Sequence, residues 1–455
     1  MSIILPAAWQ VQEDENYAEL WMGTHPNGPS RVAPEDSESS DDGDAQRPGM
    51  FLIELLETNP SVLGDLEEVG DLPFMFKILS IAKALSIQAH PDKQTAEKLY
   101  ASRPDLYRDD NHKPEMAVAL SEFEGLCGFR PFHEMVYSLH RYPELRGVVS
   151  LAAVKAILDV PEDIGRQQAA LHKLFVSYMK AKPAVIRTQL RLLDWHTGFA
   201  LTSQNFGTIG EGLWNASAEA EDEVELEEML GKVICLAAGD GECPGLTART
   251  MLRRLRAEER SIHKLMLRLN EEYPGDIGIM MPLLLNYLRL EPGQAFFMGA
   301  NEPHAYLRGD IMEVMARSDN VVRVALTPKY RDVPLLCDIL TYKMGAPPLV
   351  LPRRVSPYCL RFTPPVADFE LEVVTLPHAQ QFSFDSIKVP SIFLVLGGTG
   401  WATDDDGGAE KELWSGVSMF VPARCAVNFR ATSTDAPLLV AVAHTNIHWR
   451  PPPII

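Results

Sequence analysis

The chain has 455 residues, 62 acidic against 42 Lys or Arg side chains, a formal charge of −20 and a pI near 5.1. That length allows two or three domains with real cores, and that charge argues against nucleic acid and anionic membrane surfaces as partners. Six scattered cysteines without Cys-x-x-Cys spacing, an N-terminal Met-Ser-Ile-Ile-Leu-Pro without a charged leader region, and no uncharged apolar run near the ~18 residues of a membrane helix predict a soluble, reduced chain without thiolate metal ligands.

In chain order, the acidic Ser-rich run at 35–44 predicts a solvated surface loop. The stretch 74–88 is apolar and β-branched and predicts a strand, with a helix starting after Pro91. Residues two apart in a strand share a face, so Gln88 and His90 project together. An amide oxygen beside an imidazole nitrogen is half of a metal site, provided two more ligands arrive from elsewhere. Asn-His-Lys-Pro-Glu at 111–115 offers Glu115 as a carboxylate ligand, with Lys113 on the same face if that segment is extended.

From 135 to 288 the pattern turns helical. Leu151, Val154, Ile157 and Leu158, then Leu171, Leu174, Phe175 and Tyr178, recur at helical spacing, and charged helices are expected over 219–230 and 261–270. His172, His196 and His263 lie outside every motif and are assigned to packing or the surface. The strand pattern returns at Leu288, with a turn at Leu290-Glu291-Pro292-Gly293 and the run 294–300 leading into a strand that carries His304, the fourth candidate ligand. Glu313, Asp319 and Arg323 follow on a strand, turn, strand unit, and Ser318-Asp319-Asn320 is good turn chemistry in any case. Arg308 and Arg317 are expected on the surface. The proline-rich stretch 346–365 predicts a connector, and 366–455 is again β-rich. At an offset of 123, Gly293, Phe297, Ala300 and His304 fall on Gly416, Phe420, Ala423 and Val427, an internal echo that lacks the candidate ligand. His444 and His448 lack partners at ligand spacing and are expected at the surface or an interface.

Over 17–24 (Tyr-Ala-Glu-Leu-Trp-Met-Gly-Thr), 72–93, 111–131 and 292–329 the chain resembles type I mannose-6-phosphate isomerases (phosphomannose isomerases), zinc enzymes of the cupin superfamily. The resemblance implies a mainly β fold with a helical insertion: two cupin or jelly-roll β-barrels plus an α-helical domain. Residues 1–134 and 289–345 would build the zinc barrel, 135–288 the helical domain and 346–455 a barrel without metal. One Zn²⁺ per chain would be held by Gln88, His90, Glu115 and His304. Borderline zinc accepts N and O donors, and its lack of redox chemistry suits an isomerisation.

By the same resemblance, the chain would interconvert D-mannose 6-phosphate and D-fructose 6-phosphate through a cis-enediol, supplying mannose 6-phosphate for GDP-mannose synthesis and glycosylation. It would do so as a cytoplasmic monomer whose partners are small sugar phosphates. Moving a proton between C1 and C2 needs an acid/base and a fixed cation. Arg323 matches the family's active-site residue, and a guanidinium stays charged at any relevant pH. Glu313 is the expected proton carrier, assisted by Lys113, with Asp319 a further catalytic candidate; a carboxylate near zinc becomes a good base only if burial raises its pKa. Lys77 and Ser86 match positions near the substrate phosphate, while Glu19, Trp21 and Tyr306 would line the substrate site. The family's Tyr-x-Trp-Gly signature is not matched: 16 residues precede the first matching stretch and Trp9 lacks that context, so one strand beside the cavity would be lost or replaced. Two alternatives stay open. One is another cupin metalloenzyme such as an oxygenase, which would show a two-His, one-carboxylate iron site, so Gln88 counts against it. The other is a metal-bound but inactive cupin used for binding or regulation.

Overall fold

The structure, a computed structural model, describes residues 2–5, 19–33, 49–159, 163–196, 226–228, 230–231, 248–405, 408 and 410–450. Trp9, Tyr17, the acidic run 35–44 and most of the helix expected over 219–230 lie outside the described residues.

The first strands are β1 (Ser2–Leu5), β2 (Glu19–Met22), β3 (Arg31–Val32), β4 (Phe74–Ile81), β5 (Ile87–Ala89), β6 (Glu115–Ala119) and β7 (Phe123–Phe129). After a helical stretch come β8 (Leu285–Leu290), β9 (Ala295–Met298), β10 (His304–Ala316), β11 (Val322–Ala325) and β12 (Leu349–Val350). The C-terminal strands are β13 (Arg353–Ser356), β14 (Cys359–Phe362), β15 (Glu370–Leu376), β16 (Gln381–Phe384), β17 (Ser391–Gly397), β18 (Gly400–Asp404), β19 (Lys411–Leu413), β20 (Ser418–Val421), β21 (Val427–Ala431) and β22 (Leu438–His444). Among the described residues all pairings between these strands are antiparallel, with one isolated parallel bridge between Phe129 and Met344. They build a 10-stranded sheet around β10, an 8-stranded sheet in the order β13-β14-β15-β22-β17-β20-β1-β3, and a 4-stranded sheet in the order β16-β21-β18-β19. Strand β1 thus joins the C-terminal sheet, through β20, although its residues stand at the head of the chain.

Period-two alternation decides which side chains face the site. On β4, β6 and β10, Phe74, Phe76, Met116, Val118, Met312 and Val314 pack into a core shared with Phe362, Leu371, Ile392, Phe420 and Ala441 of the C-terminal sheet. The opposite face of the same strands carries Leu79, Ala117, Ala119 and Ile311, which pack with Phe123, Phe296 and Tyr306. Lys77, Glu115 and Glu313 alternate with the first set and so sit on this second face.

Gly309 makes the central strand possible. Before it, β10 pairs with β5 and β7; from it onward, β10 pairs with β4 and β6. Its φ is +106°, and a Cβ there would meet the Glu122 carbonyl at 2.4 Å. The strand bends between two pairing partners at a residue that has no side chain to accommodate.

Four expectations change here. The run 74–88 is two strands, not one. The chain leaves β4 at Ile81, and its crossing is held by Glu272, whose carboxylate accepts from Ala84 N at 2.9 Å, and by Tyr273, whose hydroxyl donates to Ala84 O at 2.5 Å. The stretch 346–365 is not a mere connector, because β12, β13 and β14 lie within it. Its prolines fall outside those strands, before, between and after them, where no ladder N–H is needed. The fold is mixed rather than mainly β: between β7 and β8 the described residues form helices Phe132–Arg141, Pro143–Val148, Leu151–Leu158, Ile164–Met179, Pro183–His196 and Ala248–Glu272. Finally, His444 is fully buried in the C-terminal sheet rather than at a surface.

Helix starts follow local chemistry: the side chains of Asp92, Ser150 and Asp163 accept from Thr95 N, Ala153 N and Arg166 N as N-caps. Val154, Ile157, Leu171, Leu174, Phe175 and Tyr178 are buried as their spacing predicts, but Leu151, at its helix N-terminus, is 84 % exposed. These helices share a core with Ala89, Val322 and Val324 of β5 and β11, and so brace the sheet edge that carries Gln88 and Arg323. The turn at Glu291 closes as expected, with Gln294 N donating to Glu291 O at 3.0 Å and Gly293 at φ +84°. Gly416, at φ +96° before β20, and Val427, opening β21, occupy the same places relative to their strands as Gly293 before β9 and His304 opening β10. No described helix is long and apolar enough to cross a membrane. Cys127, Cys337, Cys359 and Cys425 are free thiols.

Candidate metal centre and active site

Three segments distant in sequence meet at one end of the 10-stranded sheet: the end of β5, the start of β6 and the start of β10. They bring His90, Glu115 and His304 together, all at 1 % exposure or less. His90 Nδ1 lies 2.6 Å from the Asn320 carbonyl and His304 Nδ1 lies 3.0 Å from the Glu302 carbonyl. A carbonyl only accepts, so both Nδ1 atoms carry the proton and both Nε2 atoms present bare lone pairs. These Nε2 atoms lie 3.3 and 3.2 Å from the two carboxylate oxygens of Glu115. His90 Nε2, His304 Nε2 and Glu115 Oε2 are buried without a hydrogen-bond partner. Burial pushes His90 down to about 4, so the ring is neutral. Electron pairs converge here with nothing positive between them, and a cation held by N and O donors fits that arrangement.

Gln88 stands directly opposite His304 across the β5–β10 pair and opposite Arg323 across the β5–β11 pair. Residues in register share a face, so Arg323, Gln88 and His304 form one row. Gln88 and Arg323 are both half-buried. Among the described residues the Arg323 guanidinium has no hydrogen-bond or ion-pair partner.

A second row runs Trp21, Lys77, Glu313, Ala117 across β2, β4, β10 and β6. Tyr306 donates to Glu313 Oε1 at 2.5 Å, and Lys77 Nζ lies 3.7 Å from Glu313 Oε2. Burial and the nearby Glu115 charge push the Glu313 carboxyl above the usual carboxylate range, against the pull of Lys77 and Lys113. Burial also pulls Lys77 down. Lys77 Nζ sits 4.0 Å over the Trp21 ring, whose Nε1 donates to the exposed Glu19 at 2.6 Å, which puts Glu19 at the rim. Lys113 Nζ reaches Glu115 Oε1 at 2.8 Å, the same-face pairing expected of them. Burial would lower Lys113, but Glu115, Glu313 and Asp319 outweigh it and raise it; for Glu115 burial pushes up, and Lys113 and His90 hold it well below the carboxylate range. Ser86 lies in the crossing before β5, half-buried, and not on a strand.

Asp319 is half-buried in the turn between β10 and β11. His25 Nε2 lies 3.3 Å from its Oδ1, Asn27 Nδ2 donates to its Oδ2 at 2.7 Å, and the His25 contact is the main cause holding its carboxyl down. A cleft of 570 Å³ opens beside this turn, lined in part by His25, Asn27, Asp109, Asn111 and Asp319. Sequence reasoning missed His25, Asn27, Asp109 and Asn320. His25, Asn27 and Asp109 lie within three residues of stretches that were singled out, and Asn320 was read only as turn chemistry; none has a spacing that announces a role. Arg317, expected on the surface, is half-buried and ion-paired with Asp71. Arg308 is exposed.

Comparison with known proteins places the chain in a family. The family described as "Phosphomannose isomerase type I, catalytic domain" matches residues 3–132. Mannose-6-phosphate isomerase 1 of Arabidopsis thaliana is 36% identical over 93% of this chain and 84% of its own length. Mannose-6-phosphate isomerase of Homo sapiens is 35% identical over 93% and 88%. Among solved structures, a zinc-bound mannose 6-phosphate isomerase superposes with a TM-score of 0.70 at 25% identity, covering 98% of this chain and 99% of that one. A point mutant of the phosphomannose isomerase from Salmonella typhimurium gives a TM-score of 0.71 at 26% identity, covering 98% and 100%. With a buried N/O ligand cluster of this kind and relatives that match nearly its whole length, the chain belongs to the type I mannose-6-phosphate isomerase family.

Proposed function

We propose that this chain is a zinc-dependent aldose–ketose isomerase that interconverts D-mannose 6-phosphate and D-fructose 6-phosphate through a cis-enediol. The observation that carries the reading is the set of three orphaned, buried atoms on His90, His304 and Glu115, beside an unpaired Arg323 and a Glu313 whose acidity burial has weakened. One Zn²⁺ held by Gln88, His90, Glu115 and His304 would supply a fixed positive charge that polarises or orients the substrate oxygens.

The chain's own residues do the rest. Glu313 takes the proton from C2 and returns it to C1, and its raised pKa suits a base working near neutral pH. Tyr306 and Lys77 hold that carboxylate in place from either side. Arg323 faces the two oxygens on which charge grows and can bridge both. Lys113 assists at the hydroxyl or in ring opening, and Asp319 works from the turn beside it. Lys77 and Ser86 lie toward the phosphate, while Glu19 and Trp21 line the entry. Lys77, Lys113 and Arg323 together supply the local positive charge that a sugar phosphate needs within an acidic chain.

In this reading residues 1–134 with 289–345, and 346–455, form two cupin-type barrels around the helical domain 135–288, and the enzyme is a cytoplasmic monomer that supplies mannose 6-phosphate for GDP-mannose and glycosylation. The test is formation of fructose 6-phosphate from mannose 6-phosphate by purified protein, stripped of metal and then given zinc. Activity that disappears and returns supports the reading. A chain that holds one zinc and never turns over substrate sinks it.

A further inference from the structure

We propose that Asp109 is a positioning residue for the active site, acting on the metal ligand His90 and on Asp319 at once. Its Oδ1 accepts from Asn111 N at 2.9 Å, Ser318 Oγ at 2.7 Å and Asn320 Nδ2 at 3.0 Å. Its Oδ2 accepts from Asp319 N at 2.8 Å, and its own carbonyl accepts again from Asn320 Nδ2 at 2.8 Å. The Asn320 so gripped is the residue whose carbonyl, 2.6 Å from His90 Nδ1, fixes that ring's tautomer and aims Nε2 at Glu115. The Asn111 carbonyl accepts from Ser318 Oγ at 3.1 Å and Asn320 Nδ2 at 2.9 Å, which ties the segment leading to Lys113 and Glu115 into the same knot.

The site is built from chain segments near 90, 111–115 and 318–323, with no two of them contiguous. Beside the sheet register and the Asn111 contacts with Arg317, Ser318 and Asn320, the Asp109 carboxylate joins the last two, and through Asn320 it reaches the first. A carboxylate is suited to this task because its two oxygens together offer about four acceptor positions, and here four donors use them. Outer residues of this kind set ring orientation and ligand basicity, and losing one typically costs 10- to 100-fold in metal affinity.

The two oxygens serve different clients, and that difference gives the test. Oδ1 serves Asn111, Ser318 and Asn320, the branch toward His90; Oδ2 serves only Asp319. In Asp109→Asn the amide oxygen keeps three donors by taking the Oδ1 place, and its NH₂ then faces the Asp319 N–H. Zinc affinity is read by competition with a chromophoric chelator, with no substrate present. The expected result for Asp109→Asn is an affinity within about 3-fold of wild type with kcat down about 10-fold and KM little changed. For Asp109→Ala the expected result is an affinity weakened 10- to 100-fold and an altered d–d spectrum of the Co²⁺-loaded protein. Asn320→Ala, which keeps the backbone carbonyl but frees it from Asp109, should weaken zinc in the same direction and serves if Asp109→Ala does not fold. The inference rests on the metal reading above, but its readout does not need isomerase activity: a chain that binds zinc without turnover leaves it intact. Wild-type zinc affinity and Co²⁺ spectrum in both Asp109→Ala and Asn320→Ala overturn it, as does an equal loss of zinc affinity in Asp109→Asn and Asp109→Ala.

Discussion

Among the described residues, each of the two large sheets holds a buried histidine–glutamate cluster, and the two solve the same electrostatic problem differently. In the N-terminal cluster, His90 and His304 each give Nδ1–H to a backbone carbonyl and turn Nε2 toward Glu115, whose carboxylate is also reached by Lys113. In the C-terminal cluster, His444 lies in register with Glu370, Nδ1 is 2.8 Å from the Thr445 carbonyl, and Nε2 is 3.6 Å from Glu372 Oε1, a carboxylate also reached by Arg361 at 3.0 Å. The residue types nearly repeat. What differs is the second histidine. His304 aims at the carboxylate that His90 also faces, so three electron-rich atoms meet at a point. His448 instead accepts from Arg361 Nη1 at 2.8 Å and donates from Nδ1 to Glu370 at 2.7 Å, so of this cluster's ring and carboxylate atoms only His444 Nε2 is left buried without a hydrogen-bond partner. Cys359 completes it by donating to Glu372 at 2.9 Å. A metal site is therefore marked by convergence of unpartnered lone pairs rather than by the number of histidines and carboxylates.

The comparison can be broken most severely at its two carboxylates. Glu115→Gln should lose stoichiometric zinc and at least about 10³-fold in kcat/KM, roughly 4 kcal/mol, whereas Glu372→Gln should keep zinc and keep kcat within about 2-fold. Metal analysis alongside steady-state rates checks both, and equal losses in the two variants would show that the clusters are not functionally distinct. Next in size is Arg361→Ala, which leaves the buried Glu372 without its cation. A loss of about 3 kcal/mol in unfolding free energy is expected, with zinc content unchanged. An unaltered urea midpoint would mean that His444 and Cys359 suffice.

Arg323→Lys sharpens the other side of the contrast. It keeps the charge but loses the planar fork, so kcat should fall about 10²-fold at full zinc occupancy; a rate near wild type would reduce the role of Arg323 to charge alone. The smallest effect is one of pH. Burial pushes the Glu372 carboxyl up, but its contacts with His444, Cys359 and Arg361 outweigh this and hold it at about 2, below the 4.5 of an unperturbed Glu. A carboxyl lowered by folding stabilises above its unfolded pKa and loses that contribution as pH falls toward the folded value, so the window runs from about 4.5 down to about 2. Between pH 6 and pH 3 this group should remove about 2 kcal/mol of stability. Urea unfolding of wild type and Glu372→Gln at both values tests it, and parallel pH slopes for the two would contradict the assignment.

The His90, Glu115 and His304 cluster was legible in the chain, through the family resemblance together with local pattern. His90, Glu115 and His304 each sit in a short motif beside a strand, and the pairing of Lys113 with Glu115 follows from an extended backbone alone. Alternation along β4, β6 and β10 is likewise a local property, although which face meets the site came from the packing. Helix starts at Asp92 and Ser150 and the turn at Pro292-Gly293 depend on a few neighbouring residues and needed no tertiary information. The internal echo at an offset of 123 was equally visible, and it falls on matching glycine turns and short strands.

Other features depended on partners far away in sequence. The break in 74–88 exists because Glu272 and Tyr273, almost 190 residues on, bind the backbone at Ala84, and no local signal carries that. Prolines between 346 and 365 look the same whether they fill a connector or punctuate three strands; strand pairing decides. His444 carries no mark in its own segment that it will be buried between Glu370 and Glu372, since those residues lie about 70 positions earlier and meet it only through the β15–β22 register. The sequence by itself determined which residues could ligate, cap, turn or alternate, because those properties belong to a side chain and its immediate neighbours. Only the tertiary structure decided which lone pairs were left without partners, because that depends on every group that packs around them.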